Sequence, residues 1–150
     1  MMKTIQEMEA EIIQSFQACR TIDEKYTYLF QLGENLTPMN PAYKTDQNLV
    51  RGCQSLLWFH LLQESGRFFL LADSDSMVVK GISALLVKLI EGRTAQEIQK
   101  INMDFVDQLQ IWKLASDRNN GLMAMLDHIH QAAKTAETQR SVQEDDCNPT

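Results

Sequence analysis

At 150 residues, 44% hydrophobic and 23% charged, the chain is sized for one domain whose core needs neither disulfides nor metals. Its net charge of −6, with no dense Lys/Arg stretch, argues against binding a nucleic-acid phosphate backbone. The longest apolar run, Ile82 to Ile90, is interrupted by Ser83 and Lys88 and is too short to span a membrane.

The N-terminus turns acidic at once and has no apolar signal core, so export is not expected. Ile5, Met8, Ile12, Phe16 and Cys19 recur at helical spacing, which predicts a helix from Thr4 to about Cys19 with Cys19 as a small core residue. Thr21-Ile22-Asp23-Glu24 has the form of a capping box. It starts a second helix that buries Ile22, Tyr26, Leu29 and Phe30 and stops at Gly33. Pro38, Pro41 and several asparagines make residues 34–48 an irregular connection. Two strands follow, Ser55–Gln63 and Phe68–Ala72, joined through Gly66 into an antiparallel hairpin, with Leu49 and Val50 as a short strand ahead of them.

Asp73-Ser74-Asp75-Ser76 offers N-cap oxygens to a helix from Met77 to Ile90. That helix is apolar apart from one side bearing Lys80, Ser83, Lys88 and Glu91, so it is expected to be the central core helix, closed by Gly92. Thr94-Ala95-Gln96-Glu97 opens a short helix to about Lys100. Residues 104–114 give a weaker helical pattern, and a last helix from about Asp117 lines up Leu122, Met125, Leu126, Ile129, Ala133 and Ala136. The order predicts an α+β domain over 1–138, a small antiparallel sheet with helices packed on one face. Residues 139–150 read as a disordered acidic tail.

Cys53 is the first candidate for chemistry. Gly52 lets the chain turn tightly before it, and the strand behind fixes where the apex points. Arg51 and the turn N–H groups would favour the thiolate, the reactive form of cysteine. A cysteine folded inward beneath the loop is the competing reading. Cys19, Cys53 and Cys147 are odd in number and widely spaced, which is neither a disulfide framework nor a metal set and fits a reducing cytoplasm. His60, His128 and His130 are distant from Cys53 in sequence, and the last two, two apart on a helix, do not share a face. Asp73 and Asp75 could form a carboxylate pair, but helix capping explains them without catalysis.

Arg51-Gly52-Cys53-Gln54-Ser55-x-x-Trp58 resembles the Gly-Cys-Gln-Ser-x-x-Trp segment of the SufE/CsdE family of sulfur acceptors. Asp73-Ser74-Asp75 followed by Val79-Lys80-Gly81 is similar to that family's Asp-Ser-Asp…Val-Lys-Gly block. Phe16-x-x-Cys19, Asp23-Glu24-Lys25-Tyr26…Leu32-Gly33 and Arg118-x-Asn120-Gly121-Leu122 resemble its other blocks, in order from about Phe16 to Ile129. Two positions depart from the pattern: Ala72 stands where the family usually has Gly, and Ser116 where it often has Pro.

The resemblance implies an IscU/SufE-like fold and a partner, a pyridoxal-phosphate cysteine desulfurase of the SufS/CsdA type. Cys53 would take the outer sulfur of that enzyme's persulfide, stimulate its turnover, and pass the sulfur to an Fe–S assembly scaffold. The chain would hold no cofactor of its own, the pyridoxal phosphate being the partner's. Arg51, Gly52, Gln54, Asp75 and Arg118 are the residues expected to anchor the loop or meet the partner. Because a persulfide is easily lost, Leu56, Trp58 and the last helix are expected to shelter Cys53 in the free protein. Two other readings compete with this one. An IscU-like scaffold needs several cluster ligands where only Cys53 is suitably placed, and a stand-alone cysteine hydrolase would have to turn over substrate without a partner.

Overall fold

A computed structural model describes residues 3–51, 55–101, 104–105 and 124–136. The element order is α1 (Ile5–Gln17), α2 (Ile22–Glu34), a single 3-10 turn (Pro41–Tyr43), β1 (Leu57–Glu64), β2 (Arg67–Ser74), α3 (Met77–Ile90), α4 (Ala95–Gln99) and α5 over 124–136. The α+β class stands. The patterns expected over 104–123 and in the tail fall almost wholly outside the described residues.

Local chemistry places the helix starts. Thr4, Thr21 and Thr94 each accept from the backbone N–H three residues on, and Glu7, Glu24 and Glu97 reach back to close the capping box. Helix α3 differs from expectation: Ser76 alone caps it, accepting from Val79 N–H at 3.3 Å. The strand runs on through Asp73 and Ser74, so the Asp-Ser-Asp segment belongs to sheet and loop rather than to the cap.

β1 and β2 pair antiparallel, with Leu57 opposite Ser74, Phe59 opposite Ala72, and Glu64 opposite Arg67. Ser65 and Gly66 have φ of 54° and 80°, the doubly left-handed turn that matches strand twist in a two-residue hairpin. Side-chain alternation puts Leu57, Phe59, Phe68, Leu70 and Ala72 on the inner face, where all five are buried. Ala72, at the family's usual glycine position, is absorbed there opposite Phe59 in regular strand. Trp58 and His60 point the other way.

Helix α3 covers the inner face, with Ile82, Leu85, Leu86, Leu89 and Ile90 buried. It is the core helix, and even Ser83 is fully buried, its hydroxyl donating to Val79 O at 2.8 Å; the polar side expected to include it is narrower. Arg93, just past α3, is also buried, and its Nε donates to Leu89 O at 3.1 Å while Nη1 meets Lys3 O and the Glu97 carboxylate.

Three helix expectations are corrected. Helix α2 runs past Gly33 to Glu34, because Gly33 is a contact glycine facing α3 rather than a terminator. Ile22 is 60% exposed and Phe30 borderline, so the buried side of α2 is carried by Leu29 and Gly33. Cys19 is only half-buried, two residues beyond the end of α1, with Sγ 3.9 Å from Ser15 O; the helix stops before it can reach the core.

Candidate functional site

The segment around Cys53 is closed at its base by backbone pairing. Leu49 bridges Trp58 antiparallel, with Val50 N–H donating to Leu57 O at 2.8 Å and Phe59 N–H to Asn48 O at 2.9 Å. The short pairing segment expected at Leu49 and Val50 is therefore present as a single bridge, and Val50 is buried beside it. Six residues, 51–56, connect the two sides of this closed base. Gly52, Cys53 and Gln54 lie outside the described residues, as does Arg118 on the C-terminal side. Arg51, at the first position of the loop, is exposed.

The returning side of the loop is clasped to the segment after β2. Leu56 N–H donates to Asp75 Oδ1 at 3.0 Å, and Leu56 O accepts from both Asp75 N–H at 3.2 Å and the Ser74 hydroxyl at 2.7 Å. Asp75 thus sits at the loop's C-terminal stem and Arg51 at its N-terminal stem. Removing the carboxylate should free the Leu56 amide. We expect Asp75→Ala to raise its exchange rate about fivefold at constant pH, the scale of one lost hydrogen bond; an unchanged rate would show that Ser74 holds the stem alone.

Asp73 is not Asp75's partner in a carboxylate pair. It lies opposite Trp58 and binds Lys44 at 2.9 Å and Lys80 at 3.6 Å, tying the connection before β1 to β2 and α3. Lys44 Nζ also stands 5.3 Å from the Trp58 ring centroid, which places a cation beside that ring on the outer face of the sheet. Burial alone would raise the Asp73 carboxyl. The hydrogen bonds from Lys44 and the Ser74 N–H, with the charges of Lys44 and Lys80, outweigh it and hold the group below its ordinary 3.8. A carboxyl depressed in the fold contributes its stability above the unfolded value and loses it as pH falls through the folded one. Between about pH 5 and pH 3 the wild type should therefore lose roughly half a kcal/mol more than Asp73→Asn in urea unfolding, after discounting for solvent screening. Equal losses would contradict the pairing.

Two of the three histidines, His60 and His128, come together beside the loop's N-terminal stem, which their sequence positions did not suggest. Arg51, Asn48, Phe59, His60 and His128 all line one groove of about 820 Å³ between the loop's N-terminal stem, the sheet and α5. His128 packs edge-on against Phe59 at 6.1 Å; burial holds it below its ordinary value against a backbone hydrogen bond with Phe59. His130 is not among the residues that line this groove, and its backbone carbonyl accepts from the Gln99 amide at 3.0 Å. Among the described residues, which omit Cys53, no three His, Cys, Asp or Glu side chains gather as a metal set, and no helix is long and apolar enough to cross a membrane.

A loop with one cysteine, closed at its base by strand pairing and clasped by an Asp-Ser-Asp segment, is thus the centre of the site. Around it, residues 10–133 match the SufE domain, described as an Fe–S metabolism associated domain. This chain belongs to the SufE family. It is 40% identical over 125 residues to SufE-like protein 1, chloroplastic/mitochondrial, of Arabidopsis thaliana, a match covering 82% of this chain and 34% of that protein. The SufE-like chain thus spans about a third of that relative. The fold is shared with the solution structure of a hypothetical protein from Thermus thermophilus, at TM-score 0.74 and 19% identity, covering 87% of this chain and 96% of that one.

Proposed function

We infer that this SufE-family chain accepts sulfur at Cys53 from a cysteine desulfurase of the SufS/CsdA type and delivers it to an Fe–S assembly scaffold. The observation that supports the reading best is the six-residue loop, pinned by Val50–Leu57 on one side and by Asp75–Leu56 on the other, with Cys53 at its middle. Both stems being fixed, the thiol can be presented to a docked donor without reordering the sheet.

The step is thiol exchange. The Cys53 thiolate attacks the outer sulfur of the donor's persulfide, a new S–S bond forms on Cys53, the donor's S–S bond breaks, and the donor cysteine leaves as thiolate. No net oxidation occurs, and the rate depends on the thiolate fraction, the leaving group and access. Arg51, exposed at the loop's first position, supplies positive charge near the developing exchange. Gly52, Gln54, Asp75 and Arg118 anchor the loop or meet the partner. The pyridoxal phosphate acts within the donor enzyme, and this chain needs no cofactor. A persulfide survives best away from reductants, and the groove whose rim includes Arg51 offers a recess for it. Cys53 must arrive reduced, which suits a reducing compartment such as the cytoplasm.

Turnover of a purified cysteine desulfurase, followed as alanine released from cysteine without added reductant, tests the reading. Adding this chain should raise the rate several-fold, because the acceptor clears the enzyme's persulfide. An unchanged rate would contradict it, as would hydrolytic turnover by the chain alone or a visible-absorbing cluster bound to it.

A further inference from the structure

Asn48 stands where the connection from α2 meets the sheet. Its carbonyl accepts from Phe59 N–H at 2.9 Å, one of the two bonds that close the base of the Cys53 loop. Its side-chain nitrogen donates to Tyr43 O at 2.8 Å and lies 3.2 Å from Nδ1 of His60. A carbonyl can only accept, so the amide nitrogen is turned toward Tyr43 and its second hydrogen makes Nδ1 the acceptor. His60 is then neutral, with its proton on Nε2. The Tyr43 ring stacks on the imidazole at 4.2 Å and 17°, fixing the plane in which Nδ1 meets Asn48.

Deepening the sulfur-acceptor reading, on which this rests, we propose that Asn48 and His60 are positioning residues for sulfur transfer: neutral His60 locks Asn48, Asn48 locks the loop's N-terminal stem, and protonating His60 unlocks it. An imidazolium carries hydrogens on both nitrogens, so Nδ1 would face the amide N–H with a hydrogen of its own. Flipping the amide would satisfy Nδ1 but set Oδ1 against Tyr43 O. Either way one bond of the clamp is lost, and the stem that leads into Arg51 and Cys53 loosens.

Among the described residues, the titratable and charged groups on the elements neighbouring His60 are these. Tyr43 and Lys44 come from the 3-10 turn and the residue after it, Asp46 and Arg51 from the connection, Asp73 from β2, and Asp127 and His128 from α5. Lys44 and Asp73 are engaged with each other. Burial keeps His60 below its ordinary 6.5, so the neutral, locked form prevails at neutral pH and the change falls on the acid side. His128 packs on Phe59 instead of on Asn48, so it takes no part in this clamp.

The test uses the full chain and two readouts, amide protection factors at Val50 and Phe59, and sulfur uptake from a cysteine-loaded desulfurase. At about pH 7.5, Asn48→Ala and His60→Leu should lower protection and slow uptake about tenfold, while His60→Asn, whose Oδ1 replaces Nδ1, should stay near wild type. On moving to about pH 5.5, wild type should fall toward His60→Leu, and the ratio of His60→Asn to wild-type uptake should rise. That ratio cancels the titration of Cys53 and of the donor enzyme. Equal protection in all variants, or a ratio flat across pH, would overturn the clamp. Uptake absent even in wild type would contradict the sulfur reading, and the protection factors would still decide the clamp.

Discussion

Gly81→Ala should lower stability by about 3 kcal/mol and Tm by roughly 10 °C. The helix interior alone would favour alanine by about 1 kcal/mol, so any loss must come from packing. A Cβ at Gly81 would lie 2.3 Å from the Leu29 carbonyl oxygen, 2.7 Å from its carbonyl carbon and 2.8 Å from its Cβ. Two of these three atoms are backbone and cannot rotate aside. Helices α2 and α3 would have to separate, and Leu29, fully buried, would lose its packing. Gly33 provides the contrast. A Cβ there meets Gly81 N at 3.3 Å and Lys80 Cβ at 3.5 Å, so Gly33→Ala should cost only about 1 kcal/mol. The effect reaches the site as well, since the segment that clasps Leu56 leads directly into α3. Thermal unfolding followed by circular dichroism checks this. A Tm for Gly81→Ala equal to wild type would mean that the two helices do not rely on this contact.

Cys53→Ser should abolish sulfur uptake and leave Tm within a few degrees of wild type. A serine hydroxyl is almost un-ionised at neutral pH and cannot form the S–S bond that the transfer requires. Cys19 should not substitute for it. Its thiol is half-buried past α1 and turned toward Ser15 O, with no loop to present it.

Much of this fold was legible because the signals are local. Threonine followed three residues later by glutamate marked the starts of α2 and α4, and the apolar run from Met77 marked α3. What could not be read depends on which residues meet across the fold. Gly33 looks like a terminator until α3 is placed against it, and only then is it a close-approach glycine. Asp73, Ser74 and Asp75 are good caps in isolation, but the register that sets Asp73 opposite Trp58 brings Lys44 to it and turns the next two residues onto Leu56. In the sequence His60 stands apart from Cys53; its link to Asn48 spans twelve positions and needs the Leu49–Trp58 bridge to form. Arg93 carried no pattern at all, and its burial follows from carbonyls of Leu89 and Lys3 that only the packed chain brings together. At the site, the motif around Cys53 identified the family, while the stems that hold it emerged from the pairing of β1.

Whether Cys53 carries the sulfur is decided by the mass of the intact chain after incubation with a cysteine desulfurase, pyridoxal phosphate and cysteine, followed by peptide mapping. We expect a gain of whole sulfur atoms on the peptide containing Cys53, absent in Cys53→Ser. Sulfur found on Cys147 or Cys19 alone, or persisting in Cys53→Ser, would refute the assignment.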